Sequence, residues 1–289
     1  MFYGLAANAQ FSPPSQMERN QLLLNPAYAG SLEATVASIM YRNQWAGWDG
    51  SPVIQNFEMH APLKKQSMAL GFQAYNESAG LKNRTDAFFT YAYRIQMDKS
   101  KLAFALKGGI QNRSFKEAET EDNENDPAFT QTSTLIPNVG FGVSYYNPKY
   151  FVGLSIPYFF GANSDDAGTQ LSFDINDFAY ILTGGGSIDV GYNIALEPIA
   201  SFYYSATLKT QLLAVLNAKW NNMVRGGIGY RMNEGLIFNV AYLFNQQLSV
   251  AVSYDLNTGD IAKYSNGSFE IGAMYFFGYK VNTVSPRDF

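Results

Sequence analysis

The sequence predicts an all-β chain, a transmembrane antiparallel β-barrel of about 14 strands, and three observations lead there. The chain is rich in aromatic residues (16%, with 22 Phe and 20 Tyr) and in glycine (25), yet its mean hydropathy is -0.15 and only 15% of it is charged. A soluble domain carries about 25% charge, whereas a barrel in lipid needs apolar side chains only at every second strand position. No apolar run approaches the roughly 20 residues of a helical span; runs such as 271–277 are short and interrupted by glycine. The rest of the chain reads as short stretches of period-two alternation bounded by turn residues, a strand signature.

Fourteen candidate strands follow in order: 34–46, 53–61, 67–77, 84–96, 101–115, 135–147, 150–160, 178–190, 194–205, 210–220, 223–232, 235–244, 248–256 and 267–278. Leu248, Val250, Val252 and Tyr254 share one face, with Ser249, Ala251, Ser253 and Asp255 on the other. Val152, Leu154, Ile156 and Tyr158 oppose Gly153, Ser155 and Pro157, and Phe269, Ile271, Ala273, Tyr275 and Phe277 oppose Glu270, Gly272 and Met274. The apolar face should meet lipid and the small or polar face should line the lumen. Every second connection (62–66, 97–100, 148–149, 191–193, 221–222, 245–247) is short, while the two longest, 116–134 and 161–177, fall on the opposite side. Short periplasmic turns and longer extracellular loops are the habit of outer-membrane barrels. An even strand count puts both termini on the periplasmic side.

Residues 1–9 end in Ala7-Asn8-Ala9 before Gln10, the pattern of a signal-peptidase site, and read as a signal-peptide remnant. The expected organisation is then an N-terminal periplasmic or lumen segment (10–33), the barrel (34–278) and a C-terminal tail (279–289). A net charge of -4 without a basic stripe argues against nucleic acid. Zero cysteines exclude disulfides and thiolate sites.

No catalytic constellation is legible. His60, the only histidine, shares a face with Asn56 and Glu58 and should point into the lumen, and no G-x-S-x-G elbow accompanies it. Glu117, Glu119, Glu121, Asp122, Glu124 and Asp126 crowd the longest loop, but Pro127 and the lack of a closing glutamate depart from an EF-hand. Asp165, Asp166, Asp174 and Asp177 in the second long loop read the same way, as a solvated loop. Gly184-Gly185-Gly186 lacks a following Lys-Ser/Thr and is expected to mark a bend or a close approach. No cofactor or metal is expected. Arg42, Gln44, Glu58, Lys219, Arg225, Arg231 and Glu270 are the candidate lumen partner-binding residues. Such groups pair across the barrel, line water or contact an inserted polypeptide.

The most distinctive sequence lies near the start: Asn25-Pro26-Ala27-Tyr28-Ala29-Gly30-Ser31, then Tyr41-Arg42-Asn43-Gln44-Trp45-Ala46-Gly47-Trp48 and Gly50-Ser51-Pro52. Asn25-Pro26 favours a turn because proline fixes φ and restricts its predecessor. Tyr28 should then sit just before the first strand, and Trp45 and Trp48 near a membrane interface. Near the other end stand Tyr254-Asp255-Leu256, Asn266-Gly267-Ser268-Phe269-Glu270-Ile271, Tyr275-Phe276-Phe277 and Pro286-Arg287-Asp288-Phe289. Together these segments resemble the PorP/SprF family, outer-membrane proteins that work with the type IX secretion system of Bacteroidota. The resemblance covers about 10–63 and 252–289 and assigns Asn25, Pro26, Tyr28, Gly30, Tyr41 and Trp45 to the family motif.

It implies a non-enzymatic barrel that binds, helps export or anchors secreted cargo with a type B C-terminal sorting domain, including gliding adhesins such as SprB. The implied partners are that cargo, the secretion machinery and the outer-membrane lipid bilayer. The alternative is a passive porin or small-molecule transporter, in which 10–24 can act as a plug, since fourteen strands leave room for a channel or a filled lumen.

Overall fold

The computed structural model describes residues 13–63, 66–115, 133–165, 168–206 and 210–278. Its strands are β1 (Thr35–Asn43), β2 (Val53–Pro62), β3 (Met68–Ala79), β4 (Lys82–Gln96), β5 (Lys101–Phe115), β6 (Ser133–Tyr146) and β7 (Tyr150–Ile156). There follow β8 (Gly161–Asp165), β9 (Gly168–Ser172), β10 (Ala179–Gly186), β11 (Ile188–Asp189), β12 (Ile194–Ser205), β13 (Gln211–Trp220) and β14 (Val224–Arg231). β15 (Gly235–Leu243), β16 (Leu248–Asn257) and β17 (Ser268–Phe277) complete the set. β8 and β9 form a separate hairpin. The other fifteen make one antiparallel sheet, and β11 only prolongs β10 past Ser187, which leaves fourteen staves. β1 pairs with β17 and β10 pairs with both β7 and β12, so the sheet closes on itself. Among the described residues no helix is long and apolar enough to cross a membrane.

The wall is inverted relative to a soluble protein. Phe89, Leu106 and Ile228 are more than 60% exposed on the outside, while Arg42, Arg94 and Arg231 are fully buried within. That is the polarity of a barrel immersed in lipid. The turns at one end are tight: Asn221 and Asn222 both take left-handed φ (51° and 54°) in the turn closed by Met223 N–H on the Trp220 carbonyl (3.0 Å), a conformation asparagine tolerates. The opposite end carries the long loops. One of these contains the acidic stretch Glu117–Asp126, which lies outside the described residues. So do Ala7-Asn8-Ala9 and the tail 279–289.

Two expectations need correction. β7 ends at Ile156 rather than at 160, because Pro157 has no N–H to donate to the ladder. The alternation slips there, and Tyr158 enters the lumen, with its hydroxyl 3.1 Å from Asp86 Oδ2, instead of facing out with Leu154. Tyr28 does not sit just before the first strand, which begins at Thr35; it lies within the lumen, 2% exposed.

The core is inside the barrel. Residues 13–32 are buried throughout, in short helical turns at Met17–Arg19, Gln21–Leu24 and Pro26–Tyr28. Met17, Leu22, Leu24, Ala27 and Tyr28 pack on wall positions kept small, among them Ala69, Ala92, Ala103 and Ala105. Leu23 joins Met40, Ile54 and Tyr75. Full burial of one such leucine contributes about 1.5–3 kcal/mol, so the inserted segment is held by packing as well as by its polar contacts.

Candidate functional site

The inserted segment runs the height of the lumen. At the long-loop end Ser15 is a hub. Its Oγ accepts from Arg42 Nη1 (2.8 Å) and Arg231 Nη2 (2.7 Å) and donates to Asp255 (2.8 Å). The backbone N–H groups of Ser15 and Gln16 donate to the two oxygens of Glu270, both at 2.9 Å. Arg42 also pairs with Asp255 (2.7 Å) and Glu270 (3.1 Å), and Arg231 with Asp255 (3.3 Å) and Glu234 (3.4 Å). Arg231 further donates to the Pro13 carbonyl. Buried charges persist only when paired and hydrogen-bonded, and here the main chain of the inserted segment completes the pairing.

Midway, Glu58 accepts from the N–H groups of Leu22 (2.9 Å) and Leu23 (2.8 Å), the free donors at the start of the Gln21–Leu24 turn. Ser38 donates to the Arg19 carbonyl (2.8 Å), and Asn56 donates to Asn20 Oδ1 (2.9 Å). On the opposite wall Arg225 pairs with Glu197 (2.8 Å) and reaches Glu18 at 3.8 Å, while Lys219 pairs with Glu197 (2.7 Å).

Toward the short-turn end the Asn25–Gly30 motif forms an arch. Asn25 Oδ1 accepts from Ala27 N (2.8 Å) and its Nδ2 donates to the Val143 carbonyl (3.0 Å). Tyr28 meets Phe151 edge-on at 5.9 Å. A Cβ at Gly153 would stand 2.7 Å from the Tyr28 hydroxyl, and one at Gly142 only 2.0 Å from Asn25 Oδ1. These two wall glycines therefore make room for the arch. Gly30, at φ +64°, donates its N–H to His60 Nδ1 (3.0 Å). Arg94 donates to the Ala29 carbonyl (3.2 Å), and Lys101 pairs with Glu33.

All seven candidate partner residues are accounted for. Arg42, Glu58, Arg231 and Glu270 hold the chain's own N-terminal segment, Arg225 reaches it through Glu18, and Lys219 faces Glu197. Gln44 is 4% exposed just beyond β1, its N–H donating to the Pro52 carbonyl (2.9 Å). Tyr41 faces outward (44% exposed) and Trp45, at φ 55°, packs on Trp48 at 6.2 Å. Gly185 marks a close approach within the wall, because a Cβ there would meet the Pro198 carbonyl at 2.7 Å. In the second long loop Asp174 caps a turn by accepting from Asn176 N (2.9 Å). Asp255 was placed on the lumen face but not among the candidates, and Asp86, Lys107, Arg94 and Glu197 were not singled out from the sequence, though each is a charged residue on the inward parity of its strand. The start of β1 and the end of β17 lie at the short-turn end, whereas Pro13 lies at the long-loop end beside Arg231.

The shape of the barrel has several counterparts. The CymD monoaromatic hydrocarbon channel superposes with a TM-score of 0.52 at 12% identity, over 94% of this chain and 95% of that one. The Ralstonia pickettii toluene transporter TbuX gives 0.52 at 12% identity (93% and 99%). A Pseudomonas aeruginosa FadL homologue gives 0.50 at 9% (94% and 96%). At such identities the likeness speaks for the fold alone. No curated protein matches the chain. Residues 6–275 match the family described as type IX secretion system membrane protein PorP/SprF. An inverted fourteen-stave barrel, the two sequence signatures and a match over nearly the whole chain agree: this integral outer-membrane protein belongs to the PorP/SprF family.

Proposed function

We propose that the barrel is a non-enzymatic receiver of secreted polypeptide in type IX secretion, docking cargo that carries a C-terminal sorting domain, with the short turns in the periplasm and the long loops outside. The observation that carries this reading is that the lumen holds a polypeptide segment along its height, the chain's own residues 13–34, in short helical turns. Part of the grip falls on main-chain groups: Glu58 and Glu270 take pairs of N–H donors, while Arg94 and Arg231 take carbonyls. Contacts to main chain tolerate varied side chains, which suits a site that takes a segment of another protein. Arg42, Glu58, Arg231 and Glu270 become available to cargo when residues 13–24 give way, and Gln44, Lys219 and Arg225 extend the same surface.

The second reading is passage of a small molecule. The likeness in fold to proteins described as a hydrocarbon channel and a toluene transporter favours it. It too requires the inserted segment to shift. Affinity purification from native outer membranes in mild detergent, with mass spectrometry, separates the two. A near-stoichiometric secreted protein retained through its C-terminal domain supports docking. A barrel recovered alone from secreting cells, with solute flux in liposomes, overturns it in favour of transport.

A further inference from the structure

The loop between β7 and β10 is pinned on both sides of the wall. Tyr158 points inward, its ring 4.7 Å from the Arg84 guanidinium and 4.5 Å from Lys107 Nζ, with its hydroxyl on Asp86. The next residue, Phe159, donates its N–H to the Val139 carbonyl (3.0 Å) and stacks on Phe178 at 5.2 Å. Phe178 precedes β10 in extended conformation (φ -66°, ψ 136°). It therefore continues the outward column of Tyr180 and Leu182, since successive strand residues alternate faces. Phe173 packs against Phe178 at 5.5 Å and against Phe160 at 5.8 Å. The phenylalanine cluster thus stands on the lipid-facing side of the barrel, above its last lipid-facing residues.

From Leu171 to Asp174 the chain alternates in the same sense, and Asp174 then caps a helical turn at Ile175–Asp177. Leu171, Phe173 and Ile175 are 51%, 61% and 64% exposed, and Ser172, Asp174 and Asn176 lie between them. Exposed apolar side chains that cluster need a partner, and continuity with the lipid-facing column identifies it. We propose that the segment 171–176 is a membrane-interfacial flap that inserts Leu171, Phe173 and Ile175 into the lipid leaflet at the long-loop end, leaving Asp174 and Asn176 in water. Aromatic residues favour that depth, where an apolar ring meets the headgroups. The flap would tie this side of the mouth to the membrane surface while Tyr158 anchors the start of the loop inside the wall.

The chain has no cysteine, so single-cysteine variants can be spin-labelled cleanly. F173C, I175C, D174C and N176C would be reconstituted in phospholipid vesicles without other protein, with I228C on the wall as the lipid reference. Folding is checked by heat-modifiable migration. I175C leaves every ring pair above intact, so a defect peculiar to F173C does not decide the outcome. Oxygen collisions should dominate at 173 and 175, as at 228, and water-soluble nickel-chelate collisions at 174 and 176, with the oxygen-to-nickel ratio several-fold apart between neighbours. Nickel dominance at all four positions would overturn the proposal. Protection of 173 and 175 only in native membranes would also overturn it, and assign the patch to a protein partner.

Discussion

The two ends of the inserted segment are held by different physics. At the long-loop end, Ser15 and Gln16 sit among Arg42, Arg231, Asp255 and Glu270, and nearly every contact is a charged hydrogen bond. At the other end, the Asn25–Gly30 arch is seated by shape, with Tyr28 on Phe151 and two wall positions reduced to glycine, and it leads directly into β1. The first is a latch: its charges keep one another company, and their partners on the segment are few. The second is a hinge, continuous with the wall. Displacement of the segment should therefore begin at Ser15 and leave the arch in place.

Arg42→Met tests the latch with the largest expected effect. It strips Asp255 and Glu270 of their shared cation, and breaking a buried ion pair typically costs about 3–5 kcal/mol. The heat-modification midpoint of the purified barrel should fall clearly, and an unchanged midpoint would show that the latch is not structural.

Ser15→Ala is milder, since hydrogen bonds to charged groups contribute about 1.5–3 kcal/mol. Its readout is local: amide exchange should accelerate over 13–20 and stay unchanged over 25–30. Equal acceleration in both stretches would abolish the division between latch and hinge.

Gly153→Val attacks the hinge. Overpacking costs about 1–3 kcal/mol, and exchange should rise over 25–30, where the new side chain meets Tyr28. If exchange rose only at 13–20, the arch would not be the seat of the segment.

The contrast also marks what could be read from the sequence. All fourteen staves were legible because lipid on one side and lumen on the other impose strict alternation, as in β16 and β17. Residues 13–34 carry no such period. Three helical turns of three or four residues, each buried all round, leave no face to detect, so the turn at Asn25-Pro26 was legible but its place inside the barrel was not. The β8–β9 hairpin escaped because its Gly, Ser and Asp composition reads as loop. Tyr158 was misplaced by the one-residue slip at Pro157. The inward charges were legible singly, but their partners were not, because Arg42 and Asp255 are brought together only by ring closure through β17.

The central claim is that residues 13–34 fill the lumen at rest. Planar-bilayer recording of the purified wild-type barrel tests it most directly. The account predicts no steady ion conductance from wild type and intermittent openings once Arg42→Met loosens the latch. Steady conductance from the wild-type protein would contradict it.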